Sequence, residues 1–186
     1  MNIKKLFLII SLTILFSSLS AFEFGKDISL FLQEQGIPKQ LIIILISMLP
    51  IVELRGAIPI AIGLLGMTWW EAISLAIIGN MIPIPFVLLF MEKITLILNK
   101  WSFTRKLLAK IFARTRSKSK VIEKYEEIGL TLFVAIPLPI TGAWTGSLAA
   151  YLLGLKFWKS ILCALAGVSI AGVIMTLLSL GLFSFL

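Results

Sequence analysis

The sequence has no histidine, one cysteine (Cys163) and one aspartate (Asp27). Without histidine there is no His-based zinc site, no Ser-His-Asp triad and no Cys-His pair. Most hydrolytic chemistry goes with them. A lone cysteine cannot close an intrachain disulfide, so it carries no news of redox compartment. A Gly-x-x-x-x-Gly-Lys-Ser/Thr loop is also missing, so ATP would have to act through another chain. We expect no metal centre, no cofactor and no enzymatic activity.

Acidic charge is scarce too: nine Asp and Glu stand against seventeen Lys and Arg, a net charge of +8. Apolar residues are abundant. They make up 59% of the 186 residues, against about 45–50% in soluble chains, and the mean hydropathy is +1.06. A small soluble fold leaves too much surface wet to hide that much apolar area. A bilayer removes the problem. Ten of the basic residues lie between Lys93 and Lys124. Such a block beside apolar spans points to a cytoplasmic loop against anionic lipid headgroups. A nucleic-acid role lacks any further motif.

Along the chain, residues 1–22 read as a signal peptide or an N-terminal signal anchor. Two lysines precede an uncharged run from Leu6 to Phe22, with small residues at 17–21. Residues 23–40 read as an interfacial helix stopped by Gly36 and Pro38. Leu41 to Gly66 is long enough to span, yet its middle holds Pro50, Glu53, Arg55, Gly56 and Pro59. One helix would place charge near the hydrocarbon centre and break its own hydrogen bonds there. Each arm is about 15–18 Å long at the helical rise of roughly 1.5 Å per residue, about half a bilayer core. The pattern predicts a re-entrant hairpin over 41–66, its non-helical tip sheltered by protein or a wet cavity. A conventional transmembrane (TM) span follows over 73–91, carrying Asn80, Pro83 and Pro85. Residues 92–128 form the basic loop, with an amphipathic stretch at 100–116. Residues 130–154 repeat the broken pattern with Pro137, Pro139, Gly142 and Gly146, and 160–186 make the last span.

Two stretches match at an offset of 88: Gly66, Trp70, Ile73, Ala76 and Gly79 against Gly154, Trp158, Ile161, Ala164 and Gly167. The halves 41–91 and 129–186 therefore read as repeats. With the loop 92–128 inside, fourteen basic residues are cytoplasmic and two external, the bias expected of an inner-membrane protein. The first hairpin then dips in from outside and the second from the cytoplasm. The expected fold class is an all-α integral membrane protein: an inverted repeat of re-entrant helical hairpin plus TM helix, with a basic amphipathic cytoplasmic segment. In transporters that symmetry places a site at mid-membrane, between two interrupted segments.

Glu53 and Arg55 are the only charges inside the predicted membrane segments. Two residues apart, they diverge on a helix and share a side on an extended tip. Arg55 either fixes an anionic group or pairs with Glu53, and Glu53 takes and releases a proton. Burial favours the neutral acid and a guanidinium favours the carboxylate, so a shared site is poised to switch. A structural ion pair is the plainer alternative. The opposing tip offers Thr141, Trp144, Thr145 and the amides near Gly142 and Gly146. They suit phosphate oxygens, a stacked cationic amphiphile, or a tightly packed turn with no ligand. Asn80, Pro83 and Pro85 make a gating hinge or an ordinary kinked helix.

Pro50-Ile-Val-Glu-Leu-Arg-Gly-Ala-Ile-Pro59, Gly79-Asn80 with Pro83 and Pro85, and Ile136-Pro-Leu-Pro-Ile-Thr-Gly-Ala-Trp-Thr-Gly146 resemble the small multidrug export protein family over roughly residues 40–180. The resemblance implies export of toxic amphiphiles. That family is in turn distantly similar to the DedA/VTT membrane proteins. This second similarity implies two facing re-entrant hairpins, charged residues at the first tip (here Glu53 and Arg55), and translocation of lipids such as polyprenyl phosphate carriers. DedA proteins tend to carry arginines at the second tip, where this chain has Thr141, Trp144 and Thr145.

Three functions follow as expectations. The first is a small, proton-coupled transporter of amphipathic solutes or drugs. The second is a flippase or scramblase for an anionic lipid phosphate. The third is a non-transporting membrane scaffold. An intramembrane protease would need paired aspartates, and Asp27 stands alone. The expected partners are the lipid bilayer, an amphipathic small molecule or lipid phosphate, and a second copy in a homodimer, since two short hairpins and few spans leave much surface to bury.

Overall fold

A computed structural model describes residues 19, 21–98, 120–138 and 141–184. Most of the signal or anchor segment, the amphipathic stretch 100–116 and Pro139 lie outside the described residues. Every regular element among the described residues is helical. Helix α1 covers 21–34 and ends at Gly36, whose φ of 75° suits glycine. Then come α2 (Lys39–Ser47), α3 (Glu53–Pro59), α4 (Trp69–Met81), α5 (Pro83–Leu98), α6 (Lys120–Ala135), α7 (Ala143–Leu152) and α8 (Phe157–Ser184).

Proline explains where the helices break. Pro38 precedes α2, and Pro50 sits in the turn joining α2 to α3. Pro59 differs from expectation. The sequence suggests a non-helical tip running to Pro59, but the chain is helical from Glu53. The turn itself is confined to 48–52. Pro59 withdraws one donor from the ladder, and the chain answers by widening into a π-helical turn over Ile60–Leu64. Pro83 stands at the first position of α5, where its missing N–H does no harm. Chain and helix axis carry on past Ile82, so Trp69–Met91 forms one apolar run of 23 residues.

The stretches that match in sequence also lie in helices that pack alike. Helix α2 packs on α4, and α6 on α8. The repeated glycines make these crossings possible. A β-carbon at Gly79 would fall 2.8 Å from the Ser47 Cβ and 2.9 Å from the Ile44 Cα. One at Gly167 would fall 2.6 Å from the Val134 Cβ and 2.8 Å from the Thr131 carbonyl. Gly66 and Gly154 end the second arms with φ of 59° and 71°, conformations that side chains resist. Ala76 and Ala164 are both buried.

The core gathers α2, α3, α4, α7 and α8 around Ile42, Ile46, Ile58, Ile60 and Val168. The outside is apolar too. Leu162 is 62% and Leu177 65% exposed on α8, and Phe86 is 60% exposed on α5. Trp69–Met91 and Phe157–Gly181 are both long and apolar enough to cross a membrane. Helix α1 presents its small face, Ala21, Gly25 and Ser29, to the hairpin; a β-carbon on Gly56 would meet the Ala21 carbonyl at 2.8 Å.

Candidate functional site

The two hairpin turns meet in the middle of the bundle, and the contact is polar. Glu53 opens α3 with a φ of 47°, the one positive value outside glycine among the described residues. A left-handed glutamate costs about 1–2 kcal/mol, and such outliers cluster where function holds them. Its effect here is geometric. On a regular helix the side chains of 53 and 55 would diverge. The left-handed start instead brings Oε2 to 3.2 Å from Nη2 of Arg55. The pair forms on a kinked helix start, not on the extended tip that the spacing suggests.

Both partners also reach across to the other half. Nη1 of Arg55 donates to the Leu138 carbonyl. The Glu53 carboxylate lies against Gly142 at the start of α7, beside the Trp144 backbone amide. Gly142 makes room for it, because any β-carbon there would stand on the carboxylate. Glu53 is 3% and Arg55 8% exposed. Buried charges survive when each finds partners of this kind.

Not every polar atom is served. The Arg55 Nε and both side-chain polar atoms of Asn80 are buried without a hydrogen-bond partner. Asn80, from α4, is 1% exposed. These groups line a cavity of about 10 Å³ together with Glu53, Pro137, Thr141 and Gly142, room for a single water. Behind Trp144 lies a larger, apolar groove of about 600 Å³. Phe86, Val87, Phe90, Leu148, Met48 and Trp144 are among its lining residues.

The other residues singled out in the sequence scatter around this centre. The Thr141 hydroxyl serves its own turn, 2.7 Å from the Ile136 carbonyl and accepting the Leu138 N–H at 3.1 Å. Thr145 faces the groove. The Trp144 indole donates to the Met48 carbonyl at 3.1 Å and so ties the second hairpin to the first turn. Gly146 packs on Val134, Gly56 on α1, and Pro50 is exposed at its turn. Pro83 is buried where α4 passes into α5, and Pro85 follows in the first turn of α5. Sequence reasoning pointed to the amides near Gly142 but missed the Leu138 and Met48 carbonyls. Backbone atoms carry no residue-type signal; the glycine at 142 was the one available hint.

Two apolar helices of spanning length, set around a buried ion pair, define an all-helical membrane protein. The sequence profile of the family described as "Putative small multi-drug export protein" matches residues 53–174, about two thirds of the chain. The chain belongs to that family. No curated protein and no solved structure matches it.

Proposed function

We propose that this chain moves amphipathic solutes across the cytoplasmic membrane in a proton-linked cycle, with Glu53 and Arg55 as the working site. The observation that carries the reading is the bridge itself. The buried ion pair is a charged joint between the two hairpins, through the Leu138 carbonyl and the packing of the Glu53 carboxylate on Gly142. A charge change on Glu53 therefore acts on both hairpins at once. Intramembrane charge is too costly to keep without use. The apolar groove beside Trp144 suits the hydrophobic part of a solute.

In this reading the hairpins are re-entrant and the halves are inverted. Helices α2 and α7, nine and ten residues long, reach about half of a bilayer core. Matched glycines at matched crossings support the repeat, and the basic loop supports its orientation. Broken half-helices meeting at mid-membrane are the usual frame of alternating access.

Reconstituted vesicles test the function. Efflux of a cationic and an anionic fluorescent amphiphile is followed with and without a pH gradient. Wild type should move at least one of them with a pH-dependent rate, and Glu53→Gln should lose that dependence. Unchanged pH-dependent efflux in Glu53→Gln would remove the site from the cycle. Topology has its own assay. In a Cys163→Ala background, cysteines at the exposed positions Thr68 and Lys156 should react with an impermeant maleimide from opposite faces. Labelling from one face would rule out the inversion.

A further inference from the structure

The Glu53 carboxylate occupies the place that chemistry would assign to an incoming anion. It lies at the N-terminus of α7, a helix of ten residues, packed against the N-cap Gly142 and beside the Trp144 amide. The Arg55 guanidinium stands beside it at 3.2 Å. A helix N-terminus joined by an arginine fork is a general receptor for anionic oxygens. A second observation points the same way. Asn80 is 1% exposed and lacks partners at both Oδ1 and Nδ2, and the Arg55 Nε is equally bare. Both residues line the same small cavity. Native folds rarely leave buried polar groups unpaired, so these groups have hydrogen-bonding capacity to offer a ligand.

We propose that Arg55, Asn80 and the first turn of α7 form a receptor for the anionic head of an amphiphile, with Glu53 as its built-in occupant. This rests on the export reading above and names its substrate class. A buried guanidinium demands a negative partner. Glu53 fills that role until it takes a proton. The neutral acid then loses its hold on Arg55 and α7, and the Asn80 Oδ1 can accept its new O–H. The guanidinium and the α7 amides turn to the head group that replaces it. Proton and anion enter together, so the loaded site is electroneutral, and net movement follows the combined gradients of solute and proton without dependence on membrane potential. Trp144 joins head to body: its amide faces the anion position while its ring lines the apolar groove.

Among the described residues, no other charge lines the cavity with Glu53 and Arg55. From α3 there is Arg55, from α4 the neutral Asn80, from the α6–α7 turn Thr141 and Gly142, and from α8 the apolar Val168 and Ala171.

The test uses the full chain in phosphatidylcholine nanodiscs and titrates 1-hexanesulfonate, which stays ionised across the pH range, against hexyltrimethylammonium. Binding of the sulfonate to wild type should tighten as the pH falls from 8 to 5, by up to about tenfold per unit. Glu53→Gln should bind it at least about tenfold tighter than wild type at pH 8, with no pH dependence. Arg55→Gln should not bind it. Three results would each overturn the receptor: a flat pH profile in wild type, no gain in Glu53→Gln, or equal affinity for the cation. If Glu53→Gln does not fold, the wild-type profile decides alone. Dye efflux that still depends on Glu53 beside a negative result would leave the export reading intact and remove only the anion receptor. Adding phosphatidylglycerol separates the sources: loss of sulfonate binding identifies a lipid head as the occupant, and unchanged binding identifies a free solute.

Discussion

Gly142 lies so close to Glu53 that a β-carbon on it would stand 2.5 Å from Oε1 and 2.6 Å from Cδ. Its φ of 168° is ordinary extended backbone, so the glycine is there for space and not for conformation. Gly142→Ala should therefore act on the carboxylate. The overpacking costs about 1–3 kcal/mol, which calorimetric melting in nanodiscs would read. A displacement costing the site about 1.4 kcal/mol is already a tenfold change, so solute efflux should fall by about that factor or more. A variant that melts and transports like wild type would mean that Glu53 need not sit at α7.

Arg55 makes two contacts in different directions, to the Glu53 carboxylate and to the Leu138 carbonyl. Arg55→Ala leaves a buried carboxylate and a bare carbonyl and should cost about 3–5 kcal/mol. Adding Glu53→Gln to it should restore more than half of that loss, because the stranded charge disappears. Arg55→Lys cannot reproduce the fork; it should fold better than Arg55→Ala yet fail in transport. A double-mutant cycle by chemical denaturation checks the coupling. Additive single effects would contradict it.

The repeated glycines separate strain from crowding. Gly66 has a positive φ of 59° and open space around its missing side chain. Gly66→Ala should cost about 1–2 kcal/mol, from backbone conformation alone. Gly167 is helical, but a β-carbon there would meet backbone and side chain of α6 within 2.9 Å. Gly167→Ala must push two helices apart, so it should cost more than Gly66→Ala. Melting temperatures of the two variants decide the order.

Much of this arrangement was legible because proline, glycine and charge are loud in an apolar sequence. Pro38 and Pro50 stand where helices begin or turn, and the offset that pairs Gly79 with Gly167 pairs two helix crossings. The pairing of Glu53 with Arg55 was one of two readings that the sequence left open, the other being an external anion on Arg55. The way they meet was not readable. A spacing of two says strand or divergence; the left-handed backbone of Glu53 is a third answer that only the packed neighbours impose. Pro59 misled for a similar reason, because a π turn absorbs a proline that a regular helix would reject. The Leu138 and Met48 carbonyls were invisible, since any residue supplies them.

Lys159 and Glu127 form an ion pair at 2.5 Å between α8 and α6, with side chains 43% and 30% exposed. Pairs this wet contribute less than about 1 kcal/mol. Glu127→Gln should lower stability by no more than that, and the difference should shrink in high salt. A larger loss, insensitive to salt, would show that the pair is screened from water by something beyond the protein chain.

Asn80 gives the sharpest contrast between stability and function. Ser147 is also buried, but its hydroxyl donates to the Ala143 carbonyl at 2.7 Å; Ser147→Ala should lose about 1 kcal/mol with that bond. Asn80 has no such bond to lose, and its buried amide is a burden on the folded state. Asn80→Ala trades that burden for a small void, so stability should stay within about 1 kcal/mol of wild type. Transport should nevertheless fall, because the amide is held at the cavity that Glu53 and Arg55 share. Melting and efflux measured on the same sample give the answer. If Asn80→Ala loses stability as Ser147→Ala does while efflux persists, the amide serves the fold and has no part in the site.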